Sequence, residues 1–269
     1  GIIPVSYQET SEFDFLKKEF KLEKFQLFFL TTEKHHGSKG NAYLEYYQNK
    51  LFVTAANGIF SYVDLDQFKK NDFRLQVIKS NLKEIIKNNK FYQRSSFGIK
   101  DTLILKDQIF ISYTKELKKN CFNTSIIVAK INYNKLSFKD FYSPNICVKL
   151  QNKYGEFNAH HAGGRIVKYK NDKLLFSTGE FRYRDHAQNE QNVLGKIISI
   201  NLKTKNVEII SSGHRNPQGL YYDSNRNLLF STEHGPKGGD EINLINLNKS
   251  DKKNFGWPIA SYGEHYPGV

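Results

Sequence analysis

Four stretches of the chain share one pattern of polar and apolar positions, in which a polar turn leads into a short apolar run ending in Ser or Thr. A strand-like run precedes each copy, and a β-branched or alternating run follows it. The copies are spaced by 58, 66 and 54 residues when they are aligned on Phe52, Phe110, Phe176 and Phe230. Runs of this length and content are typical of β-strands. Repeated units of three or more strands predict an all-β protein built from the blades of a β-propeller.

The repeat predicts a single propeller domain over residues 1–269, with two blades in residues 41–157 and two in residues 158–269. Residues 1–40 lack the repeat, and within them residues 11–30 are predicted to form either a partial blade or a short helix. The fourth copy runs into the end of the sequence, which predicts about four blades of a chain truncated at its C-terminus. A β-sandwich is the alternative fold, but a sandwich does not require a repeat in the sequence.

Composition narrows the class of protein further. No apolar run approaches the roughly 20 residues of a membrane-spanning helix, so no transmembrane segment is predicted. The net charge of +13 raises the question of nucleic acid, but the lysines are scattered rather than gathered in one block. A solvated basic surface is the favoured interpretation. Cys121 and Cys147 are the only cysteines, and they form either one disulfide or two buried thiols.

Candidate chemistry is concentrated in the second half of the chain, where six of the eight histidines follow residue 159. Residues 158–165 (NAHHAGGR) hold an imidazole able to act as a base near neutral pH and glycines that allow close approach to a ligand. The alternative interpretation of this loop is a Gly-Gly turn that enters the third blade. No spacing typical of a zinc site occurs.

Two further loops are rich in glycine and proline. In residues 213–219 (GHRNPQG), Pro217 biases the preceding residue toward an extended backbone, so Arg215 projects from a stiff turn. A fixed guanidinium suits a carboxylate, a phosphate or a developing oxyanion. Residues 233–241 (EHGPKGGDE) offer backbone carbonyls of the kind that calcium accepts, although Asp240 and Glu241 also fit an ordinary turn and strand start.

At these loops the sequence resembles the PQQ-dependent glucose/sorbosone dehydrogenase family. An ordered series of motifs across residues 158–266 carries the resemblance, and it comprises residues 160–166 (HHAGGRI), 187–188 with 194–197 (AQ and LGKI), 213–219 (GHRNPQG), 233–245 (EHGPKGGDEINLI) and 254–258 (NFGWP). The resemblance implies a six-bladed propeller that binds pyrroloquinoline quinone (PQQ) and a calcium ion and oxidises an aldose. It also implies that the protein is periplasmic or secreted and passes electrons to an acceptor, which the resemblance does not identify.

The same resemblance implies a role for individual residues. His161 matches the general base that removes the hydroxyl proton at the anomeric carbon while hydride passes to the quinone. Arg215 matches an arginine that contacts quinone and substrate, and Asn216 matches an asparagine that contacts the cofactor. Gly235 and Pro236 match the pair whose carbonyls hold calcium. Because the base must be neutral, activity is expected to fall at acidic pH.

Some features depart from the family pattern. His160 stands where glucose-oxidising members have an acidic residue, so specificity for glucose is not expected. The loop at residues 181–191 is short, which implies an open sugar cleft without an assigned substrate-binding side chain. Basic residues that hold the quinone carboxylates lie in the family beyond the equivalent of Val269. A non-catalytic propeller that binds carbohydrate or a protein partner is the alternative function, and a nucleic-acid-binding propeller is a third.

Overall fold

The computed structural model describes residues 1–27, 42–70 and 74–264, and its regular structure is almost entirely β-strand. Four sheets follow one another along the chain, and each contains one copy of the repeat. The innermost strand of each sheet is the strand-like run that precedes the repeat copy. The prediction of a β-propeller is therefore confirmed, and we call the four sheets blades 1 to 4.

Blade 1 is assembled from two separate parts of the chain. Its strands are β1 (Ile2–Phe15), β2 (Lys18–Leu27), β3 (Ala42–Tyr47), β4 (Lys50–Ala55), β5 (Phe60–Asp64) and β6 (Arg74–Ser80). They lie in the order β2-β1-β6-β5-β4-β3, so the N-terminal hairpin adds to the outer edge of the blade. Residues 11–27, which were predicted to form either a partial blade or a short helix, are strand and belong to this edge hairpin, and residues 28–30 lie outside the described residues.

Blade 2 contains the only disulfide of the chain. Its strands are β7 (Ile99–Leu105), β8 (Gln108–Lys118), β9 (Cys121–Lys130), β11 (Lys139–Tyr142) and β12 (Val148–Lys149), while β10 (Lys135–Leu136) pairs in parallel with β6 of blade 1. Cys121 begins β9 and is bonded to Cys147, which directly precedes β12. The disulfide therefore closes the outer part of the blade. Of the two states that the sequence left open, one disulfide or two buried thiols, the structure has the disulfide.

Blades 3 and 4 carry the glycine-rich loops. Blade 3 consists of β13 (Gly163–Tyr169), β14 (Lys173–Thr178), β15 (Lys196–Asn201) and β16 (Val207–Ser212), and blade 4 of β17 (Pro217–Asp223), β18 (Leu228–Glu233) and β19 (Glu241–Asn246). A last short strand, β20 (Lys253–Asn254), pairs in parallel with β16. The chain thus returns from blade 4 to blade 3, which brings residues 253–257 back beside the second loop.

Helical structure in the described residues is confined to short connections. These are α1 (Leu82–Ile85), α2 (Asn89–Gln93), α3 (Asp185–Gln188) and two 3₁₀ helices at Leu65–Lys70 and Ser95–Phe97. Within residues 1–27, 42–70 and 74–264, no helix is long and apolar enough to cross a membrane.

The hydrophobic core lies between consecutive blades. The repeat phenylalanines Phe52, Phe110 and Phe176 are fully buried, and Phe110 and Phe176 belong to one cluster between blades 2 and 3. Phe230 is only half-buried, because it lies in blade 4, against which no further described sheet packs. The inner strands contact one another in the order β3, β7, β13 and β17. Loops that lead into these strands therefore meet near the centre of the molecule.

Candidate active site

The three glycine-rich loops converge on one cavity of about 380 Å³. The cavity is lined by His160, His161, Arg182, Arg215, Asn216, Gln218, His234, Gly235 and Asp240. Four of the five residues predicted as site residues are in this set. The fifth, Pro236, is buried directly after Gly235 but does not line the cavity. The loops come from blades 3 and 4, and they are brought together by the packing of β13 against β17.

The Gly-Gly pair of the first loop serves the packing of blades. Gly163 and Gly164 have φ values of 60° and 110°, a region that side chains with a Cβ rarely adopt. A Cβ on Gly164 would collide with the side chain of Lys100 on the inner strand of blade 2. Of the two interpretations of these glycines, the structure therefore supports the turn into the third blade, and His161 is held two residues before that turn.

His161 forms a buried pair with a carboxylate that was not predicted from the sequence. Its Nδ1 lies 3.0 Å from Oε1 of Glu180, which follows β14 and is fully buried. The spacing of His and Glu along the repeated units could have identified Glu180 from the sequence. Another histidine, His214, pairs in the same way with Glu233, and each carboxylate lies 19 residues after its histidine.

Burial sets the protonation of this pair. It raises the pKa of Glu180 to about 8. Burial, with the nearby charge of Arg215, lowers the pKa of His161 to about 2. The imidazole is therefore uncharged near neutral pH, and the ionisation of Glu180 decides which ring nitrogen carries the proton. When Glu180 is ionised, Nδ1–H donates to it, and Nε2 keeps a lone pair.

Arg215 is held at both its backbone and its side chain. Its guanidinium donates to the carbonyl oxygens of His234 at 3.0 Å and Gly235 at 2.7 Å, and it lies 5.3 Å from the ring centre of Trp257. Its backbone N–H donates to Glu233 at 3.0 Å. These contacts fix the position of a cation beside the cavity, which is the property expected of this residue from its stiff turn.

Behind Arg215 lies a hydrogen-bond network that was also not predicted. Oε1 of Glu233 accepts from Nδ1 of His214 at 3.1 Å and from the side-chain amide of Asn243 at 3.0 Å. Nε2 of His214 in turn accepts from the hydroxyl of Ser211 at 2.7 Å. All four side chains are buried, so this network supports the second loop and does not face the cavity.

Asn216 joins the first two loops. Its side-chain oxygen accepts the backbone N–H of Gly163 at 3.1 Å. The side chain of Gln218 donates to the carbonyl of His160 at 3.1 Å, which adds a second link between the same loops. The distance between the imidazole of His161 and the guanidinium of Arg215 is thereby controlled by hydrogen bonds between blades 3 and 4.

The third loop presents the two carbonyls that were predicted to hold calcium. The Gly235 carbonyl accepts from Arg215, and the Pro236 carbonyl accepts from the backbone N–H of Gly239 at 2.9 Å. A carbonyl oxygen has two lone pairs, so each retains one, and calcium accepts such oxygens. In the described part of the chain, no cluster of three or more His, Cys, Asp or Glu side chains offers an alternative metal site. The donor type fits calcium through these carbonyls.

A larger cavity of about 760 Å³ lies along the inner strands. It is lined by charged groups such as Glu45, Lys100 and Arg165, and it shares His160 and Gln218 with the smaller cavity. It contains neither His161 nor Arg215. The His161–Glu180 pair and the fixed guanidinium of Arg215 therefore make the smaller cavity the candidate active site.

Comparison with known proteins agrees with this arrangement. The curated matches each cover only part of the chain. Over 122 residues the chain is 35% identical to the aldose sugar dehydrogenase YliI of Escherichia coli (strain K12). The matched segment covers 40% of this chain and 32% of that protein. Over 133 residues it is 30% identical to quinoprotein glucose dehydrogenase B of Acinetobacter calcoaceticus. This matched segment covers 38% of this chain and 27% of that protein.

Solved structures show the same fold. A crystal structure of a glucose dehydrogenase superposes with a TM-score of 0.66 at 23% identity, covering 84% of this chain and 65% of that one. The PQQ-bound form of an aldose sugar dehydrogenase from Streptomyces coelicolor superposes with a TM-score of 0.56 at 18% identity, covering 78% of this chain and 60% of that one. The matches span about a third of the curated relatives and less than two thirds of these structures.

The fold and the converging loops define a β-propeller with a cavity at the loops of blades 3 and 4. The family model for glucose / sorbosone dehydrogenases matches residues 48–269. The chain therefore belongs to the glucose / sorbosone dehydrogenase family.

Proposed function

We propose that this chain is part of a PQQ- and calcium-dependent enzyme that oxidises an aldose at its anomeric carbon. The observation that carries the proposal is the shared cavity, in which His161, paired with the buried Glu180, and Arg215 face the same space. Family membership supports a sugar substrate, and the PQQ-bound relative supports the quinone.

His161 acts as the general base in this proposal. With Glu180 ionised, Nδ1–H of the imidazole donates to the carboxylate, and Nε2 accepts the hydroxyl proton of the substrate. Burial keeps the imidazole uncharged, so Nε2 has a lone pair for the proton, but burial also lowers the basicity of the ring. The ionised carboxylate of Glu180 offsets this loss because it stabilises the imidazolium that forms. Glu180 is then a positioning residue that sets the tautomer of His161.

The donor set of the cavity fits an anionic quinone, since Arg215 supplies a positive charge and Asn216 supplies a side-chain amide. When bound, PQQ with calcium supplies an electrophilic carbonyl that accepts the hydride leaving the anomeric carbon. Arg215 and Asn216 hold the cofactor, and the carbonyls of Gly235 and Pro236 hold the metal. The fixed guanidinium also stabilises negative charge that develops during hydride transfer.

An oxidising compartment suits this protein. Disulfides persist in the periplasm and outside the cell and are rare in the reducing cytosol. The Cys121–Cys147 bond therefore supports a periplasmic or secreted enzyme.

Reconstitution tests the proposal. The protein is incubated with PQQ and calcium, and reduction of an artificial electron acceptor is followed with a panel of aldoses. Aldose-dependent reduction is expected, and His161→Asn should abolish it. His186→Asn is the matched control, because His186 is half-buried on the same side of blade 3 but does not line the cavity.

Two results would count against the proposal. If no aldose reduces the acceptor although the sugars bind, the protein is a carbohydrate-binding propeller and not an enzyme. If His161→Asn keeps wild-type turnover, the enzyme stands but His161 is not its base.

A further inference from the structure

The backbone directly after Glu180 adopts an unusual conformation. Phe181 and Arg182 have φ values of 53° and 66°, a left-handed region that costs energy for residues with a side chain. Phe181 is fully buried and stacks on Phe157 with ring centres 5.7 Å apart. This packing holds the strained turn in place. The consequence is that Arg182 lines the cavity beside His161.

The guanidinium of Arg182 is only weakly engaged by the protein. Its nearest carboxylate oxygen belongs to Glu156, at 3.8 Å, which is beyond hydrogen-bond distance. Both oxygens of Glu156 already accept from Arg184, at 3.0 and 3.1 Å. Among the described residues, the side chain of Arg182 makes no hydrogen bond, so its fork of donors is available to a ligand.

The remaining charges of the cavity do not neutralise Arg182. The lining includes one carboxylate, Asp240, which lies 3.6 Å from Nδ1 of His234 and accepts the backbone N–H of Gly235. Arg215 contributes a second positive charge, but its guanidinium is held by two carbonyls and the ring of Trp257. Among the side chains that line the cavity, two arginines therefore face a single carboxylate.

We infer that Arg182 determines specificity by binding an anionic group on the sugar. A guanidinium matches a carboxylate or a phosphate with two parallel hydrogen bonds. The preferred substrates are then aldoses that carry such a group away from the anomeric carbon, namely uronic acids or sugar phosphates. This inference rests on the proposed function, because it names the substrate class of the same cavity.

Selectivity between matched sugars tests the inference. The values of kcat/KM are measured for glucose, glucuronate and glucose 6-phosphate, which share the reacting carbon but differ at carbon 6. At least one anionic sugar is expected to exceed glucose by roughly tenfold to a hundredfold, the range of one charged hydrogen-bonded pair. The two anionic sugars distinguish carboxylate from phosphate. The preference should shrink as salt is raised, since the ion pair is partly exposed.

Two variants of Arg182 separate binding from structure. Arg182→Gln should bring the ratio of kcat/KM between the anionic sugars and glucose close to one. The exposed Arg226→Gln is the control and should keep the wild-type ratio. Arg182→Gly should remove the preference and also raise the Tm, because glycine adopts a positive φ without strain. A purely structural arginine would give a lower Tm in both variants and no change in the ratio between sugars.

Several outcomes would overturn the inference. Equal kcat/KM values for the three sugars would refute it and leave the proposed function intact. A loss of PQQ affinity in Arg182→Gln without any change of sugar ratio would assign Arg182 to the cofactor. If no sugar is oxidised, the proposed function fails, and binding of the three sugars to the cofactor-free protein is then measured by calorimetry. Equal binding in that experiment would refute the inference as well.

Discussion

Glu233 offers a sharp test of how the second loop is held. Its carboxylate is buried and accepts hydrogen bonds from three donors, which are the Nδ1–H of His214, the backbone N–H of Arg215 and the side-chain amide of Asn243. One oxygen accepts two of these bonds, and the other accepts the bond from Arg215. Replacing Glu233 therefore disturbs the loop without touching the cavity directly.

The magnitude follows from counting the donors left without an acceptor. In Glu233→Gln, one oxygen becomes an amide NH₂ group, so at least one buried donor faces another donor. Each such unsatisfied group costs about 1–3 kcal/mol. Glu233→Ala strands all three donors, and we expect a loss of at least about 3 kcal/mol. A domain of this kind has a total unfolding free energy of about 5–15 kcal/mol, so both losses are measurable.

Urea denaturation and PQQ titration together provide the assay. Both variants should unfold at lower urea, and the folded Gln variant should bind PQQ more weakly because Arg215 loses the bond at its backbone. Glu241→Gln is the control, since Glu241 accepts from the same Asn243 at 3.1 Å but does not contact Arg215. A change below about 0.5 kcal/mol in Glu233→Gln, with unchanged PQQ affinity, would refute the reasoning.

Three other predictions concern the His161–Glu180 pair, the disulfide and Gly164. Activity should fall as the pH is lowered through the pKa of about 8 of Glu180, because the ionised carboxylate sets the tautomer of His161. No separate step is expected near the ordinary pKa of histidine, since burial keeps His161 uncharged. A flat profile from about pH 7 to 9 would contradict this reasoning. Loss of the bond between Cys121 and Cys147, by a Cys121→Ser change, should lower the unfolding free energy by about 3.5 kcal/mol for a separation of 26 residues, and urea midpoints with and without reductant check it. Gly164→Ala should lower the Tm through collision between blades 2 and 3, and an unchanged Tm would show that the blades shift freely.

Much of the fold was predictable from local pattern. The repeated phenylalanine runs located the second strand of each blade, because alternation and β-branched content are properties of a few adjacent residues. The N-terminal hairpin was not predictable in this way. Ile2–Phe15 and Lys18–Leu27 join a blade whose other strands lie beyond residue 41, and their pairing is decided by distant partners.

The residues of the candidate site likewise differ in whether the sequence alone could identify them. The three loops and Arg215 were identified from their unusual local composition, and the resemblance to the family then singled out His161 and Gly235 within these loops. Glu180 was not, because a single carboxylate at the end of a strand is common, and only its approach to His161 at 3.0 Å gives it a role.

The chain order of residues therefore specifies which strands form and which loops carry reactive groups, because those depend on neighbours along the backbone. It does not specify burial or charge balance. The pKa values of Glu180 and His161 arise from desolvation by packed blades, and the availability of Arg182 arises because Arg184 takes both oxygens of Glu156. Such properties depend on distances across the folded molecule, and only the tertiary structure determines them.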